Sequence, residues 1–186
     1  YVIEQTSRGE RSYDIYSRLL YDRIIYMGEE FTPESCNLIV TQLLYLNNLS
    51  NDPIDIYINS SGGSVIDGLS IIDTINLIKS PVNTICTGLA ASMGAVLLSC
   101  GKKGSRAVLP HSRVMIHQVS SGMWGTFSDL EIELKQTERC KQDIYKILAE
   151  NLNKPYEEIE KLCDRNNWFI GQEAVDLGIV DKVLCK

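Results

Sequence analysis

The chain has 186 residues, the length of one domain that can bury a hydrophobic core. Its 18 basic and 24 acidic residues give a net charge of −6, which disfavours a nucleic-acid binder that relies on neutralising phosphates. No apolar run reaches the about 18 residues of a membrane span, and no signal peptide is recognisable. We therefore expect one domain over residues 1–186 that binds neither nucleic acid nor a membrane.

Cysteine and histidine usage argues against a metal site. The six cysteines show no CxxC spacing and the chain has two histidines, so zinc is not expected. A chain of this length needs no disulfide staples, which favours free thiols in a reducing, cytoplasmic setting. Neither a Walker-type loop nor a GxGxxG spacing occurs. The sequence thus predicts no metal and no cofactor.

Strands and helices alternate over the first two-thirds of the chain. The hydrophobic pattern predicts strands at residues 23–27, 54–58, 82–86, 106–109 and 113–117. Helices are predicted from Pro33 to about Asn47, along the stripe from Val65 to Ile75, and from about Ser92. This order implies parallel strands joined by right-handed crossovers, hence an α/β fold.

One long charged helix dominates the last third of the chain. A capping-box pattern at 128–131, with Ser128 as the cap, predicts its start, and a stripe of Leu134, Ile144 and Leu148 carries it to about Leu152. About 25 helical residues span about 40 Å, more than so small a core, so we expect the helix to project and bind another chain. Short helices from 155 and over 172–178 follow, then a strand at 179–184.

Ser92 is the first candidate for chemistry. It follows an apolar strand within Ala90-Ala91-Ser92-Met93-Gly94, the strand-turn-helix context of a nucleophile elbow, with Ala90 in place of the first glycine. Such a turn presents the hydroxyl, among small neighbours, to a substrate carbonyl. The alternative is a serine that caps a tightly packed helix.

Two further features complement this serine. The loop at 60–64, with Gly62-Gly63, leaves backbone N–H groups free for an oxyanion, a plain turn being the alternative. His117 ends an apolar strand and is the natural general base, a structural histidine being the alternative. His111, in a turn, is interpreted as structural.

Four motifs closely resemble the ClpP family, the proteolytic subunits of ATP-dependent Clp proteases. They are EQTSRGE at 4–10, YINS at 57–60, GLAASMG at 88–94 and LPHSRVMIHQ at 109–118. The resemblance covers essentially the entire chain. It implies the ClpP/crotonase-like spiral of ββα units, with residues 1–17 as an N-terminal axial segment and about 118–152 as a projecting handle.

The resemblance also implies an assembly. Family members form two stacked seven-membered rings around a chamber, into which an AAA+ Clp ATPase feeds unfolded polypeptides. Tyr57 and Leu77 match positions in the ATPase-docking pockets, an ordinary core role being the alternative. Asp164 and Arg165 match residues of the contact between rings.

Carried over by position, Ser92 matches the family's nucleophile, His117 its general base, and the N–H groups of Gly63 and Met93 its oxyanion hole. The third triad member departs, because Asn166 stands where the family has aspartate. A neutral amide can accept from the imidazole, but it can also rotate and donate, which holds the unproductive tautomer. We therefore expect a serine endopeptidase with low activity alone.

Three alternatives remain beside this reading. Asp164, two positions away, could substitute for the missing acid. The chain could instead be a structural or regulatory subunit of a mixed barrel with an active paralogue, although retention of Ser92 and His117 argues against a complete loss of chemistry. A crotonase-type acyl-CoA enzyme would share the paired-amide oxyanion hole but lacks support in these residues.

Overall fold

The computed structural model describes residues 1–185 as nine strands and seven helices. The strands are β1 (Val2–Thr6), β2 (Gly9–Tyr13), β3 (Ile24–Met27), β4 (Ile54–Ser60), β5 (Val82–Ala91), β6 (Arg106–Val108), β7 (Arg113–Ile116), β8 (Asn167–Ile170) and β9 (Lys182–Val183). The helices are α1 (Ile15–Tyr21), α2 (Pro33–Leu49), α3 (Val65–Leu77), α4 (Met93–Ser99), α5 (Phe127–Leu152), α6 (Tyr156–Leu162) and α7 (Gln172–Leu177).

Parallel strands form the main sheet in the order β3-β4-β5-β6-β9. β7 continues this sheet parallel to the last residues of β5, and β8 runs antiparallel to β7. Alternate residues of β4, Ile54, Ile56 and Ile58, are fully buried because helices cover the sheet. The α/β class with a parallel sheet is confirmed.

α2 shows how the sequence sets these elements. Thr32 caps it by accepting the N–H of Ser35 at 3.3 Å, and Pro33 occupies the first turn, where no N–H is needed. The helix buries Cys36, Ile39 and Leu43 along one face, a spacing of three and four residues.

α5 begins at Phe127, two residues before the start that a cap at Ser128 predicts, and has a different cap. Thr126, not Ser128, accepts the N–H of Asp129, so the capping box predicted at Ser128 is wrong. The buried residues of α5 all lie in its last nine positions, whereas Leu134 is 60% exposed. Within residues 1–185, no element therefore buries the N-terminal half of this helix.

β5 is longer than predicted because Gly88 lets the strand continue through an irregularity. Gly88 has φ +117°, and the pairing of β5 with β4 shifts register after Ile58, so that Ser60 faces Ala90. The side chain of Asn59 fills the gap by accepting the N–H of Leu89 at 3.1 Å. The shift brings the loop after β4 against the end of β5, where Ser92 follows.

A buried ion pair fixes the C-terminal part of the chain to the sheet. Asp181 accepts Arg106 Nη2 at 2.7 Å and the backbone N–H of Gly104 at 2.8 Å, and Arg106 is 3% exposed. Arg106 Nη1 also donates to the carbonyl of Asn151 at 2.9 Å, at the end of α5. Hydrogen bonding to Arg106 lowers the pKa of Asp181 from 3.8 to about 2.

Asp181→Asn is expected to lower the free energy of unfolding by about 3 kcal/mol, because it leaves a buried guanidinium without its counter-charge. Asp176→Asn, at an exposed carboxylate, is the control and should be nearly neutral. The depressed pKa means that Asp181 stabilises fully above about pH 4 and that this contribution is lost as pH falls toward 2. Melting temperatures of the Asp181→Asn variant should therefore fall less over this range than those of the unaltered chain.

Candidate active site

Ser92 lies in a sharp turn between β5 and α4. Its backbone has φ 55° and ψ −123°, a conformation that is unusual for a residue with a side chain. Its N–H donates to the carbonyl of Met115 at 2.9 Å, and all seven residues of the following α4 are buried. Because packing on both sides holds the turn, the hydroxyl occupies a fixed position at the end of the sheet.

The neighbouring strand brings His117 to this hydroxyl. β7 pairs with β5 so that Met115 faces Ala91, and His117 follows β7 as Ser92 follows β5. His117 Nε2 lies 2.8 Å from Ser92 Oγ, and the imidazole is half-buried. This hydrogen bond allows the imidazole to take the serine proton when Nε2 carries none.

The glycine loop lies against the same turn. A Cβ built on Gly62, whose φ is +93°, would lie 2.7 Å from Ser92 Cβ. Phe31 holds the loop by donating to the Gly62 carbonyl at 2.9 Å and accepting the N–H of Ser64 at 2.8 Å. Within residues 1–185, the N–H groups of Gly63 and Met93 donate to no protein atom, so both are available to an oxyanion beside Ser92.

Gly62→Ala is expected to reduce turnover by at least about 100-fold, the loss that follows removal of one oxyanion donor. The added methyl group would displace either Ser92 or the loop that carries Gly63. Gly104→Ala is the matched control, because Gly104 also has a positive φ, +88°, but open space around its Cβ. Hydrolysis of a fluorogenic peptide measures both, and equal losses would show that backbone strain alone is responsible.

A cleft of about 60 Å³ opens beside Ser92 and His117. Its other walls are mostly apolar and come from Val65 in α3, Val96 in α4, and Ile144 and Leu148 in α5, while residues 118–120 after β7, including Gln118, form the remaining side. Sequence reasoning placed these residues in helices but missed their role in the cleft. The apolar stripe of α5 was the available signal, but a stripe alone gives no indication of which of its residues line a cleft.

Asn166 lies in the loop between α6 and β8. The antiparallel register pairs Ile116 with Asn167, so the next facing pair is His117 and Asn166. Within the described residues, no hydrogen bond joins Asn166 to the imidazole, and Asn166 is exposed. The structure thus brings Ser92 and His117 into contact and leaves Asn166 one residue beyond the last pair of the ladder, without a hydrogen bond to the imidazole.

The other residues singled out from the sequence lie outside this contact. Leu77 is 78% exposed at the end of α3, so the alternative of an ordinary core role is wrong for it, whereas Tyr57 is half-buried in β4. Asp164 and Arg165 are exposed in the loop that carries Asn166. His111 is exposed in the turn before β7.

The cysteines of the described residues are all unpaired thiols. Burial raises the pKa of Cys86 and of Cys100 to about 11 and that of Cys163 to about 12. These three thiols are therefore protonated at neutral pH and unreactive as nucleophiles.

A serine in a strained turn, hydrogen-bonded to a histidine beside two free amide N–H groups, is the arrangement of a serine-type hydrolase. The sequence matches the model of the Clp protease family over residues 7–186. It is also 48% identical over 184 residues to "ATP-dependent Clp protease proteolytic subunit 1" of Salinibacter ruber, covering 98% of this chain and 79% of that protein. The chain belongs to the Clp protease family and is a serine-type peptidase. None of the helices described is long and apolar enough to cross a membrane.

Proposed function

We propose that this chain is the proteolytic subunit of an ATP-dependent Clp protease and cleaves peptide bonds through Ser92 and His117. The observation that carries this proposal is the 2.8 Å hydrogen bond between Ser92 Oγ and His117 Nε2. Ser92 attacks the peptide carbonyl as His117 takes its proton, and His117 then protonates the leaving amine. Water, deprotonated by His117, releases the acyl group from Ser92.

Gly63 and Met93 stabilise the tetrahedral intermediates through their N–H groups. Both groups lack another partner within the described chain, and the absence of a Cβ at Gly62 lets the loop of Gly63 lie against Ser92 and Met93. Donors fixed before reaction stabilise the developing oxyanion without reorganisation. This preserved apparatus favours a hydrolytic subunit over a purely structural one, and no residue of the cleft suggests a CoA ligand.

Asn166 takes the place of the triad aspartate in this proposal. An amide can accept the imidazole N–H but supplies no negative charge to stabilise the imidazolium that forms during attack. It also fixes the imidazole tautomer less strictly than a carboxylate does. Turnover by the isolated protein is therefore low.

The proposed assembly is two stacked seven-membered rings in the cytoplasm, built from this chain or shared with a paralogue. The exposed apolar residues Phe127, Ile132 and Leu134 of α5 support a contact with another subunit, because water-exposed side chains of this size are costly on a projecting helix. In this proposal Asp164 and Arg165 join the rings. A Clp ATPase docks at Tyr57 and Leu77 and supplies unfolded polypeptides.

Covalent labelling tests the proposed chemistry even where turnover is low. The assembled protein is treated with a fluorophosphonate, and mass spectrometry of a digest locates the adduct. We expect one adduct on Ser92, formed in the native protein and not after heat unfolding, with peptide hydrolysis lost in step with labelling. Absence of an adduct on Ser92, or hydrolysis that survives complete labelling, would contradict the proposed function.

A further inference from the structure

The hydrogen-bonded pairing of β7 with β8 ends one residue before His117 on β7 and one residue after Asn166 on the partner segment. Its last pair is Ile116 with Asn167. Antiparallel ladders alternate between bonded and unbonded pairs. Met115 directs its carbonyl at Ser92 and not at β8, so the bonded pairs fall at Val114 and Ile116. Extended by one residue, this register would make His117 and Asn166 an unbonded pair with side chains on the same face.

The segment that carries Asn166 has few attachments of its own. It is fixed before its start at Cys163, which is fully buried and whose N–H donates to Ile159 at 2.9 Å. It is fixed after its end at Asn167, whose side chain donates to Leu162 at 3.3 Å. Residues 164–166 between these points are exposed, and within the described chain their one backbone bond to the preceding helix runs from the Asp164 N–H to the Lys161 carbonyl at 3.4 Å.

Gln118 crosses from the histidine side to this segment. Its Nε2 donates to the carbonyl of Asp164 at 2.8 Å. Beyond the Ile116–Asn167 pair, this is the one hydrogen bond within residues 1–185 that joins residues 117–119 to residues 164–166. The bond therefore connects the two segments beyond the last strand pair, on either side of His117 and Asn166.

We infer that Gln118 is a positioning residue, which holds the loop of residues 164–166 so that the side chain at position 166 faces the imidazole of His117. This inference rests on the proposed function. Without the Gln118 bond, the loop keeps, among the described residues, only the 3.4 Å bond from the Asp164 N–H to the Lys161 carbonyl, which does not tie it to β7, so residue 166 is expected to move away from the imidazole. Gln118 also lines the cleft beside Ser92; in this inference its effect on kcat comes through residue 166, whereas a contact with substrate would change KM.

A double-mutant cycle distinguishes this role from a general one. The four assembled proteins are the unaltered chain, Gln118→Met, Asn166→Asp and the double variant. Methionine has the length of glutamine but donates no hydrogen bond. The readouts are the rate of fluorophosphonate labelling, kcat and KM on a fluorogenic peptide, and the pH profile of labelling. Size-exclusion chromatography and melting temperature establish that each variant is folded and assembled.

We expect Asn166→Asp to accelerate labelling in both backgrounds, but the factor of acceleration should be at least tenfold smaller in the Gln118→Met background than in the background that keeps Gln118. KM should be unchanged. The pH profile of labelling should change on introducing the aspartate in the Gln118 background, and much less in the Gln118→Met background. Gln118→Lys, which keeps an N–H donor, should recover a large part of the effect.

An equal gain from Asn166→Asp in both backgrounds, or no gain in either, would overturn the inference. A change in KM without a change in kcat would also overturn it, because it would place Gln118 in substrate binding. Failure of the proposed function has a different signature, since none of the four proteins would then carry an adduct on Ser92.

Discussion

Asn166→Asp is expected to raise turnover by about 10²- to 10⁴-fold, since the reverse change in a serine protease of another fold costs about 10⁴. Asn166 faces His117 at the end of the β7–β8 ladder but makes no hydrogen bond to it within the described residues. A carboxylate there accepts the N–H at Nδ1, leaves Nε2 free for the Ser92 proton, and stabilises the imidazolium. Initial rates on a fluorogenic peptide measure the gain, which should appear in kcat with little change in KM.

Asn167→Asp is the matched control for this prediction. It adds the same charge one residue along, but Asn167 lies within β8 and its side chain donates to the Leu162 carbonyl, away from the imidazole. The variant also gives up this hydrogen bond, which holds the end of the Asn166 loop, so its turnover should equal or fall below that of the unaltered chain and should not rise. Comparable gains from both variants would mean that added negative charge acts at long range, and no gain from Asn166→Asp would contradict the account of the weakened triad.

The sequence was sufficient to predict the parallel sheet and the helices around it. These elements have strong local sequence signals, such as Thr32-Pro33 at the start of α2 and the alternating apolar residues of β4. Residues 1–17 gave no such signal, yet they form the hairpin of β1 and β2 and the start of α1. This hairpin is exposed, so its pattern carries no alternation of buried and exposed positions for the sequence to reveal.

The continuation of β5 to Ala91 could not be predicted from local patterns. It depends on Gly88 adopting a positive φ and on the Asn59 side chain satisfying the N–H of Leu89. Both are tertiary features. The same limit applies to β9, where Lys182 and Val183 pair with Ala107 and Val108 of β6 in place of the predicted 179–184, because the length of a strand at the sheet edge depends on its short neighbour β6.

Of the candidate site, the sequence predicted the residues but not all of their contacts, for a related reason. The nucleophile and base were found from motifs, and strand pairing between β5 and β7 explains why they meet. The orientation of the amide at Asn166 depends on a loop whose attachments are the ladder end and the Gln118 bond. A sequence gives the residue type at such a position, but the loop geometry sets what that residue contacts.

Ser92→Ala is expected to abolish fluorophosphonate labelling, because the hydroxyl is the atom that the probe modifies. Ser128→Ala, at an exposed serine near the start of α5, is the control and should label normally. Loss of labelling must occur with unchanged assembly and melting temperature, since alanine removes one oxygen from a turn held by the Met115 carbonyl and by buried α4. Persistent labelling of the Ser92→Ala protein would identify a different nucleophile.

The effect of Ser92→Ala on hydrolysis should depend on the residue at position 166. Catalytic residues that act as a unit are not additive: in a subtilisin, loss of the serine costs about 10⁶ in kcat, whereas loss of the aspartate alone already costs about 10⁴. By this reasoning Ser92→Ala should reduce kcat by about 10² in the unaltered chain and by about 10⁶ in the Asn166→Asp background. In each background, His117→Ala should cost nearly as much as Ser92→Ala does there, and the double loss of Ser92 and His117 should cost no more than either loss alone. Equal costs of Ser92→Ala in the two backgrounds would mean that residue 166 does not act through the Ser92–His117 pair.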